Sequence, residues 1–246
     1  MLEFLKDHPF AVEAHFKESL VLTFAAPAEE LAHRIPECLT LDTFKDQWAF
    51  IAIAMVQTQG LRPKGFPRFM GNDFFLIGYR IFVRYHTNAG KRLRGLYILK
   101  SETNRKKMER LGNLFTHYNY STTDIGYQTT GTVTELRSER SRFHFRYDDG
   151  VENAPLPSSS PFSEWKEARR FAGPLPFTFT YTPEQRKVLI IEGVRQNWTP
   201  QPLHVLDYDF DFLNQLNING LVLANAFSIR NIPYHWKKGR VEIWQG

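Results

Sequence analysis

The stretch FFLIGYRIFVRY, residues 74–85, is rich in aromatic and β-branched side chains, which favour β-strands. A second run of the same kind, RLRGLYILKSE (92–102), follows after the turn-like segment HTNAGK (86–91). Upstream, AFIAIAMV (49–56) is apolar throughout, which is typical of a strand that is covered on both faces. The runs 74–85 and 92–102 predict two antiparallel strands joined by that segment, and 49–56 predicts the second strand of a hairpin that turns near Lys45 and Asp46.

The rest of the chain continues this pattern and predicts about ten strands and three or four short helices in all. Further strand-like runs are EAHFKESLVLTFAAP (13–27), GTVTELR (131–137), SRFHFRYDD (141–149), PFTFTYT (176–182), RKVLIIEGV (186–194), LVLANAFSIRNI (221–232) and RVEIW (240–244). A mostly β (α+β) fold follows, with residues 1–246 forming a single domain built as an antiparallel closed or nearly closed barrel with a few short peripheral helices. The polar, proline-rich segment near 148–161 is expected to be a flexible loop.

One helix bears directly on the site. SETNRKKMERLG (101–112) predicts about three helical turns, with Ser101 or Thr103 as the N-cap and Gly112 just beyond the last turn. The stretch GNLFTHYNY (112–120) would then leave the helix and cross the mouth of the barrel.

Charge is distributed unevenly along the chain, whose net charge is +5 and whose isoelectric point is about 9.3. Residues 91–110 contain eight Lys or Arg against two Glu, so this segment alone carries 8 − 2 = +6. Together with the Arg- and aromatic-rich residues 137–147, it raises the alternative of a nucleic-acid-binding module, because basic and aromatic side chains together hold single strands. The aromatic residues of both segments alternate as core residues do, so the leading hypothesis is a different one.

Several classes of protein are not expected. The single Cys38 excludes a disulfide framework, and the scattered histidines lack the spacing of a metal site, so neither a metal nor another cofactor is predicted. The opening MLEFLKDHPF does not have the pattern of a signal peptide, and the longest apolar run is too short to cross a membrane. The sequence predicts a cytoplasmic protein with no membrane partner.

Three segments, taken in order, resemble an uncharacterised bacterial family related to acetoacetate decarboxylase, the YqjF-like family. Residues 20–58 (LVLTFAAPAEELAHRIPECLTLDTFKDQWAFIAIAMVQT) look like its opening helix and first hairpin. Residues 78–105 (GYRIFVRYHTNAGKRLRGLYILKSETNR) are similar to its central strand pair, and residues 193–205 (GVRQNWTPQPLHV) to its later H-x-x-W segment. The resemblance implies the acetoacetate decarboxylase fold, which has an internal cavity.

The resemblance also implies where this sequence departs from acetoacetate decarboxylase. That enzyme forms a Schiff base through a lysine whose pKa is lowered by a neighbouring cation. In the matching turn this chain has His117 in place of the lysine, and no acid lies between Phe74 and Tyr85, where the supporting glutamate would fall. Lys106 and Lys107 lie within the predicted helix, so Schiff-base chemistry is not expected.

Two charged residues are the central candidates for a site. His117 is either a general acid or base that contacts a bound carbonyl, or a histidine that is satisfied by its neighbours. Arg80 shares one strand face with Gly78, Phe82 and Arg84; if that face lines the cavity, Arg80 could grip a carboxylate through two parallel hydrogen bonds, and otherwise it is a surface arginine. Arg94 opposes Arg80 in one register of the hairpin.

The predicted site therefore has His117 as a catalytic candidate and Arg80, Arg94, Phe82, Phe115 and Tyr118 as ligand-binding candidates. In the crossing stretch, the face formed by Phe115, His117 and Asn119 is expected to point into the cavity. The leading hypothesis is a protein that binds a small acidic or carbonyl-containing molecule in an internal cavity. Whether it is an enzyme and whether it forms a homo-oligomer stay open.

Overall fold

The computed structural model describes residues 3–172 and 175–246. The helices are α1 (Glu3–Lys6), α2 (Ala28–Ala32), α3 (Lys106–Phe115), α4 (Trp165–Ala172) and α5 (Asp211–Gln215), and there are 3₁₀ turns at Arg68–Met70 and Pro183–Gln185. The strands are β1 (Val12–Pro27), β2 (Thr40–Leu41), β3 (Trp48–Pro63), β4 (Asn72–His86), β5 (Arg92–Thr103), β6 (Tyr120–Thr122), β7 (Gly126–Thr130), β8 (Val133–Ser138), β9 (Phe143–Asp148), β10 (Phe177–Thr182), β11 (Lys187–Arg195), β12 (Gln201–Pro202), β13 (His204–Phe210), β14 (Val222–Trp236) and β15 (Arg240–Ile243). Strands predominate, which confirms the predicted mostly β fold.

Seven strands form a closed ring in the order β1, β3, β4, β5, β10, β11 and β14, with β14 returning to β1. Six of the seven neighbouring pairs are antiparallel, as predicted. The exception is β5 with β10, which run parallel over residues 95–97 and 177–179. Because every strand of the ring has a neighbour on both sides, the ring encloses an interior lined by alternate side chains.

A four-stranded sheet in the order β13, β9, β8, β7 is the second layer of the fold. The odd-numbered residues of β4, among them Ile77, Tyr79 and Ile81, lie in one large core cluster with Phe145 and Phe210 of this second sheet. The outer face of β4 is therefore the buried face of a sheet-on-sheet core, and its even-numbered residues are left to face the interior of the ring.

One end of the ring interior is filled by aromatic side chains. Phe50 of the ring packs against Phe82, Phe162 and Phe171, with ring centroids 5.1–5.7 Å apart. Phe162 follows the segment near 148–161, in which Ala154 is fully buried and accepts a hydrogen bond from the Trp165 indole at 2.8 Å. Packing of this kind closes that end of the ring.

A β-bulge in β5 changes which of its side chains point inward. Tyr79 lies opposite Lys100, whereas the next residue, Arg80, lies opposite Ile98, so Leu99 has no partner of its own in β4. One extra residue reverses the alternation of a strand. As a result Ile98 and Ser101 face the interior, while Lys100 points outward over the rings of Tyr79 and Phe212.

The predicted limits of the central helix are wrong at both ends. Ser101 and Thr103 belong to β5, where residues 101–103 pair with β4 on one side and with β6 on the other, so neither can cap a helix. Helix α3 begins at Lys106 and continues past Gly112 to Phe115. Gly112 lies inside the helix, and the Tyr120 ring packs in the space that a side chain at this position would occupy.

Among the described residues, no helix is both long and apolar enough to cross a bilayer. The same residues contain no group of three His, Cys, Asp or Glu side chains placed to hold a metal ion.

Candidate functional site

The ring encloses a cavity of about 110 Å³, to which all seven of its strands contribute side chains. The cavity is lined by Phe16, Ser19, Val21, Ala54, Val56, Leu76, Arg80, Leu96, Ile98, Ser101, Tyr118, Tyr120, Leu175, Thr178, Arg195, Trp198, Tyr234 and Trp236. Most of these side chains are apolar or aromatic, and the charged ones are both arginines. Ligand cavities typically combine such walls with a few convergent polar groups.

Arg80 projects from β4 into this cavity. Its guanidinium lies over Gly78, where a built Cβ would be 2.8 Å from Arg80 Nε. Arg80 Nε is buried and has no hydrogen-bond partner in the part of the chain that the structure describes. Burial lowers the pKa of Arg80, an effect that the tyrosines Tyr234, Tyr120 and Tyr118 oppose. Since an arginine does not lose its proton in a protein, the site holds a positive charge for which the described residues supply no counter-ion.

Arg195, at the end of β11, is the second cation of the cavity. Its guanidinium carbon stacks over the Trp198 ring at 4.3 Å and lies 5.9 Å from the centre of the Tyr234 ring. Burial lowers the pKa of Arg195, the Tyr234 hydroxyl raises it, and the charge of Arg80 lowers it further. One terminal nitrogen of Arg195 is buried and has no hydrogen-bond partner within residues 3–172 and 175–246. Among the described residues, no aspartate, glutamate or lysine lines the cavity.

Tyr118 and Tyr120 form the part of the wall that the stretch 112–120 supplies. The Tyr118 hydroxyl is buried beside the Thr178 side chain, but no group of the described residues lies in good hydrogen-bonding geometry with it, so it can donate to a bound group. Burial raises the pKa of Tyr118, and it raises the pKa of Tyr120 to about 12. Both phenols are therefore uncharged at neutral pH, and each hydroxyl can donate a hydrogen bond to a ligand.

An Asn113 clamp sets the direction in which these tyrosines point. The side-chain amide of Asn113 donates to the Tyr120 carbonyl at 2.9 Å, and its oxygen accepts from the Tyr120 N–H at 2.7 Å. Asn113 thus pairs with the Tyr120 backbone as a neighbouring strand would. This pairing, which starts from the last turn of α3, fixes the register of residues 116–120.

The expectation that His117 faces the cavity is wrong. Tyr118 and Tyr120 point inward, and His117 points to the other side, where its Nε2 lies 3.7 Å from Asp7 Oδ1. Asp7 is itself bound by Lys187 at 3.1 Å. Burial lowers the pKa of His117, while Asp7 raises it. The reason for the error is the helix end: α3 runs three residues beyond Gly112, and the clamp then selects the tyrosine face.

The other predicted site residues lie outside this cavity. Phe82 belongs to the aromatic side chains that fill one end of the ring interior, and its ring centroid lies 5.7 Å from that of Phe50. Arg94 lies opposite Arg84 rather than Arg80, and it binds the fully buried Asp42 carboxylate at 2.7 Å. Asp42 is also bound by Arg84, so both arginines neutralise a structural carboxylate and are not available to a ligand in the cavity.

Phe115 lines a neighbouring groove of about 270 Å³ that is almost entirely apolar. Its ring packs edge-on against Phe10 at 5.2 Å. The groove and the arginine cavity share Leu76, Tyr118, Tyr120 and Trp236 in their walls. The two spaces are therefore adjacent, with these four side chains between them.

Sequence reasoning missed Arg195, Trp198 and Tyr234. Arg195 and Trp198 belong to GVRQNWTPQPLHV, the segment that carries part of the family resemblance, so that segment was the available signal. Gly193 was a second signal, because a side chain at that position would occupy the space taken by the Tyr234 hydroxyl.

One known protein family covers nearly the whole chain. The family DUF2071, described as an uncharacterized conserved protein, matches residues 13–242. The chain belongs to this family. No curated protein sequence matches this chain.

Solved structures with the same fold agree with the predicted resemblance. Acetoacetate decarboxylase from Legionella pneumophila has a TM-score of 0.64 at 9% identity, over 95% of this chain and 88% of that one. The enduracididine biosynthesis enzyme MppR, complexed with the condensation product of pyruvate and imidazole 4-carboxaldehyde, has a TM-score of 0.57 at 11% identity, over 95% and 89%. An acetoacetate decarboxylase-like enzyme from Sphingomonas wittichii has a TM-score of 0.56 at 9% identity, over 97% and 94%. At these identities the similarity establishes the fold and not the activity.

Proposed function

We propose that this DUF2071 protein binds a small carboxylic acid without forming a covalent bond, and that Arg80 and Arg195 hold the carboxylate inside the ring. The observation that carries the proposal is that two partly buried arginines, each with one buried nitrogen that lacks a hydrogen-bond partner among the described residues, face a cavity whose described walls contain no acidic side chain. A ligand anion would supply the missing charge.

The energetics favour an anionic ligand over a neutral one. An unpaired charge held away from water costs several kcal/mol, and this cost is recovered when an opposite charge arrives with good geometry. A guanidinium matches a carboxylate through two parallel hydrogen bonds, and Arg80 Nε and one terminal nitrogen of Arg195 are both without partners. The Tyr118 hydroxyl adds a neutral donor suited to a carbonyl or hydroxyl oxygen on the same ligand.

Ligands seen in structures of the same fold support this class. MppR has been solved in complex with pyruvate, a small keto acid, at a TM-score of 0.51 and 10% identity to this chain. A keto acid carries both a carboxylate for the arginines and a carbonyl for Tyr118. Small keto acids are therefore the first candidate ligands.

Covalent catalysis through a lysine is not part of the proposal. The bulge at Leu99 turns Lys100 out of the ring, where its Nζ binds Glu102 at 2.9 Å. Within the described residues, no lysine lines either the cavity or the apolar groove. Any turnover would have to rely on the arginines and tyrosines as electrostatic and hydrogen-bonding groups.

The nucleic-acid alternative has no support in the arrangement of its two segments. The aromatic residues of the second segment, Phe143, Phe145 and Tyr147, are almost completely buried and cannot stack on bases. In the first segment, Lys100 and Lys106 are engaged with neighbouring glutamates. We retain the small-molecule proposal, and a cytoplasmic location, which suits the unpaired Cys38, goes with it.

Calorimetric titration tests the proposal with pyruvate, acetoacetate and propionate, and with propionamide as an uncharged control. The acids are expected to bind at least about tenfold more tightly than the amide, because a charge-assisted hydrogen bond is worth more than a neutral one. Arg80→Met should abolish acid binding, whereas Arg92→Met, which removes an exposed charge from the neighbouring strand, should leave it unchanged. Failure of all three acids to bind, or equal binding by the Arg80→Met protein, would overturn the proposal.

A further inference from the structure

The apolar groove beside the arginine cavity has no role in holding a carboxylate, yet it is the larger of the two spaces. Its walls come from the N-terminal segment, β3, β4 and α3. Apolar side chains dominate them, including Phe10, Leu61, Phe74, Met108, Leu111 and Phe115. A space of this composition favours hydrocarbon, since burying apolar surface is what stabilises a ligand there.

The groove is also electrically neutral, in contrast to the cavity. Arg62, the one arginine in its described walls, binds the Glu13 carboxylate at 2.7 Å. His8 also lines the groove, and burial lowers its pKa to about 4, so it carries no charge at neutral pH. Charge is therefore confined to the arginine side of the site.

The cavity and the groove have four wall residues in common, namely Leu76, Tyr118, Tyr120 and Trp236. Tyr118 and Tyr120 are both neutral phenols, so no charge stands between the cavity and the groove. A molecule whose carboxylate lies at Arg80 has the groove as its neighbouring apolar space.

We infer that the ligand is an amphipathic carboxylic acid, with its carboxylate at Arg80 and Arg195 and its apolar tail in the groove formed by the N-terminal segment, β3, β4 and α3. This inference rests on the proposed function and adds the tail to it. On binding, the tail would pass between the four shared side chains through rotamer changes, while the Asn113 clamp keeps the Tyr120 backbone in place. A long chain that binds only in the groove would give a different dependence on the head group.

A series of acids of increasing chain length tests the inference on the unmodified protein. Straight-chain acids from propionate to decanoate are titrated by calorimetry at pH 7, below their critical micelle concentrations. Octanol, which has the alkyl chain of octanoate but no carboxylate, is the control. The dissociation constant is expected to fall about fourfold for each added methylene until the groove is filled, which follows from the free energy of burying one CH₂. Octanol should bind much more weakly than octanoate.

Two variants localise the tail. Phe115→Ser should reduce the ratio of the propionate and octanoate dissociation constants at least fivefold, because it removes one wall of the groove. Leu114→Ser is the matched control: Leu114 is the preceding residue of α3, is exposed and does not line the groove, so the wild-type ratio should persist. Should Phe115→Ser fail to fold, the chain-length series and the octanol comparison decide the question on the unmodified protein.

The outcomes separate this inference from the proposed function. If acids bind in an Arg80-dependent way but with no dependence on chain length, the tail assignment is overturned and the proposed function stands. If no acid binds at any length, the proposed function fails and the tail assignment fails with it. If long acids and octanol bind equally well and Arg80→Met changes neither, the groove binds hydrocarbon alone and the link between head and tail is refuted.

Discussion

The Arg80 guanidinium lies directly over Gly78, two residues earlier on the same face of β4. A Cβ at residue 78 would be 2.8 Å from Arg80 Nε, closer than a side chain tolerates. The lack of a side chain at Gly78 therefore leaves room for this position of the Arg80 guanidinium. Arg80 lies flat against its own strand and leaves the rest of the cavity open.

A first prediction follows from this contact. Gly78→Val should displace the Arg80 guanidinium and weaken pyruvate or propionate binding at least about tenfold, the loss expected when a charge-assisted hydrogen bond is misplaced. Calorimetric titration measures the effect. Gly126→Ala is the control, since Gly126 is an exposed strand glycine whose built Cβ makes only an ordinary contact at 3.4 Å. Unchanged affinity in Gly78→Val would mean that Arg80 does not depend on this position.

A second prediction concerns stability without ligand. Arg80→Met should raise the free energy of unfolding by about 1–3 kcal/mol, because it replaces an unpaired buried charge by an apolar side chain of similar length. Urea denaturation followed by tryptophan fluorescence measures the change. The exposed Arg92→Met should stay within about 0.5 kcal/mol of the wild type. A marked loss of stability in Arg80→Met would show that Arg80 has a structural partner instead.

A third prediction concerns pH. Burial lowers the pKa of His8 from 6.5 to about 4 in the folded protein, so the unfolded chain binds a proton more readily between these values. The contribution of His8 to stability is therefore complete above pH 6.5, decreases as the pH falls towards 4, and is absent below it. The full contribution of His8 to the free energy of unfolding is about 3 kcal/mol, because a pKa change of one corresponds to about 1.36 kcal/mol.

The comparison of wild type with His8→Asn isolates this effect. Asparagine tolerates the left-handed backbone of residue 8, whose φ is 54°. Urea midpoints measured from pH 7 to pH 4.5 should fall less steeply for the variant. His117, whose pKa is also lowered by burial, contributes to the remaining slope in both proteins. Parallel curves would refute the assignment to His8.

A fourth prediction tests the Asn113 clamp. Asn113→Ala removes two hydrogen bonds to the Tyr120 backbone and should cost about 1–3 kcal/mol of stability. Acid binding should weaken as well, because Tyr118 and Tyr120 lose their fixed positions. Lys107→Ala, an exposed substitution in the same helix, should alter neither property. Loss of stability with unchanged acid affinity would show that the clamp does not position the cavity tyrosines.

A fifth prediction concerns covalent chemistry. Borohydride reduction in the presence of acetoacetate should leave the mass of the protein unchanged, because the described walls of both spaces contain no lysine. Intact-mass spectrometry reads the result, with a Schiff-base-forming decarboxylase as the positive control. A single adduct on Lys100, Lys106 or Lys107 would contradict both the orientation of Lys100 and the proposed non-covalent binding.

The candidate site shows where local patterns suffice and where they do not. The alternation of residues 74–85 placed Arg80 on one face with Gly78, and the covered outer face of β4 made that face the inner one. The same logic failed for His117, because its face depends on where α3 ends. A shift of one residue in an extended segment moves every side chain to the opposite face.

The sequence by itself determined most of the strands, the mostly β class, the family resemblance and the candidate Arg80, because these depend on short-range periodicity and residue type. The tertiary structure alone decided the orientation of Lys100, through the bulge at Leu99, and the choice of tyrosines over His117, through the Asn113 clamp. It also brought Arg195 from β11 to the same cavity as Arg80 from β4. These outcomes depend on closure of the ring, in which strands far apart in sequence become neighbours, and no local pattern contains that information.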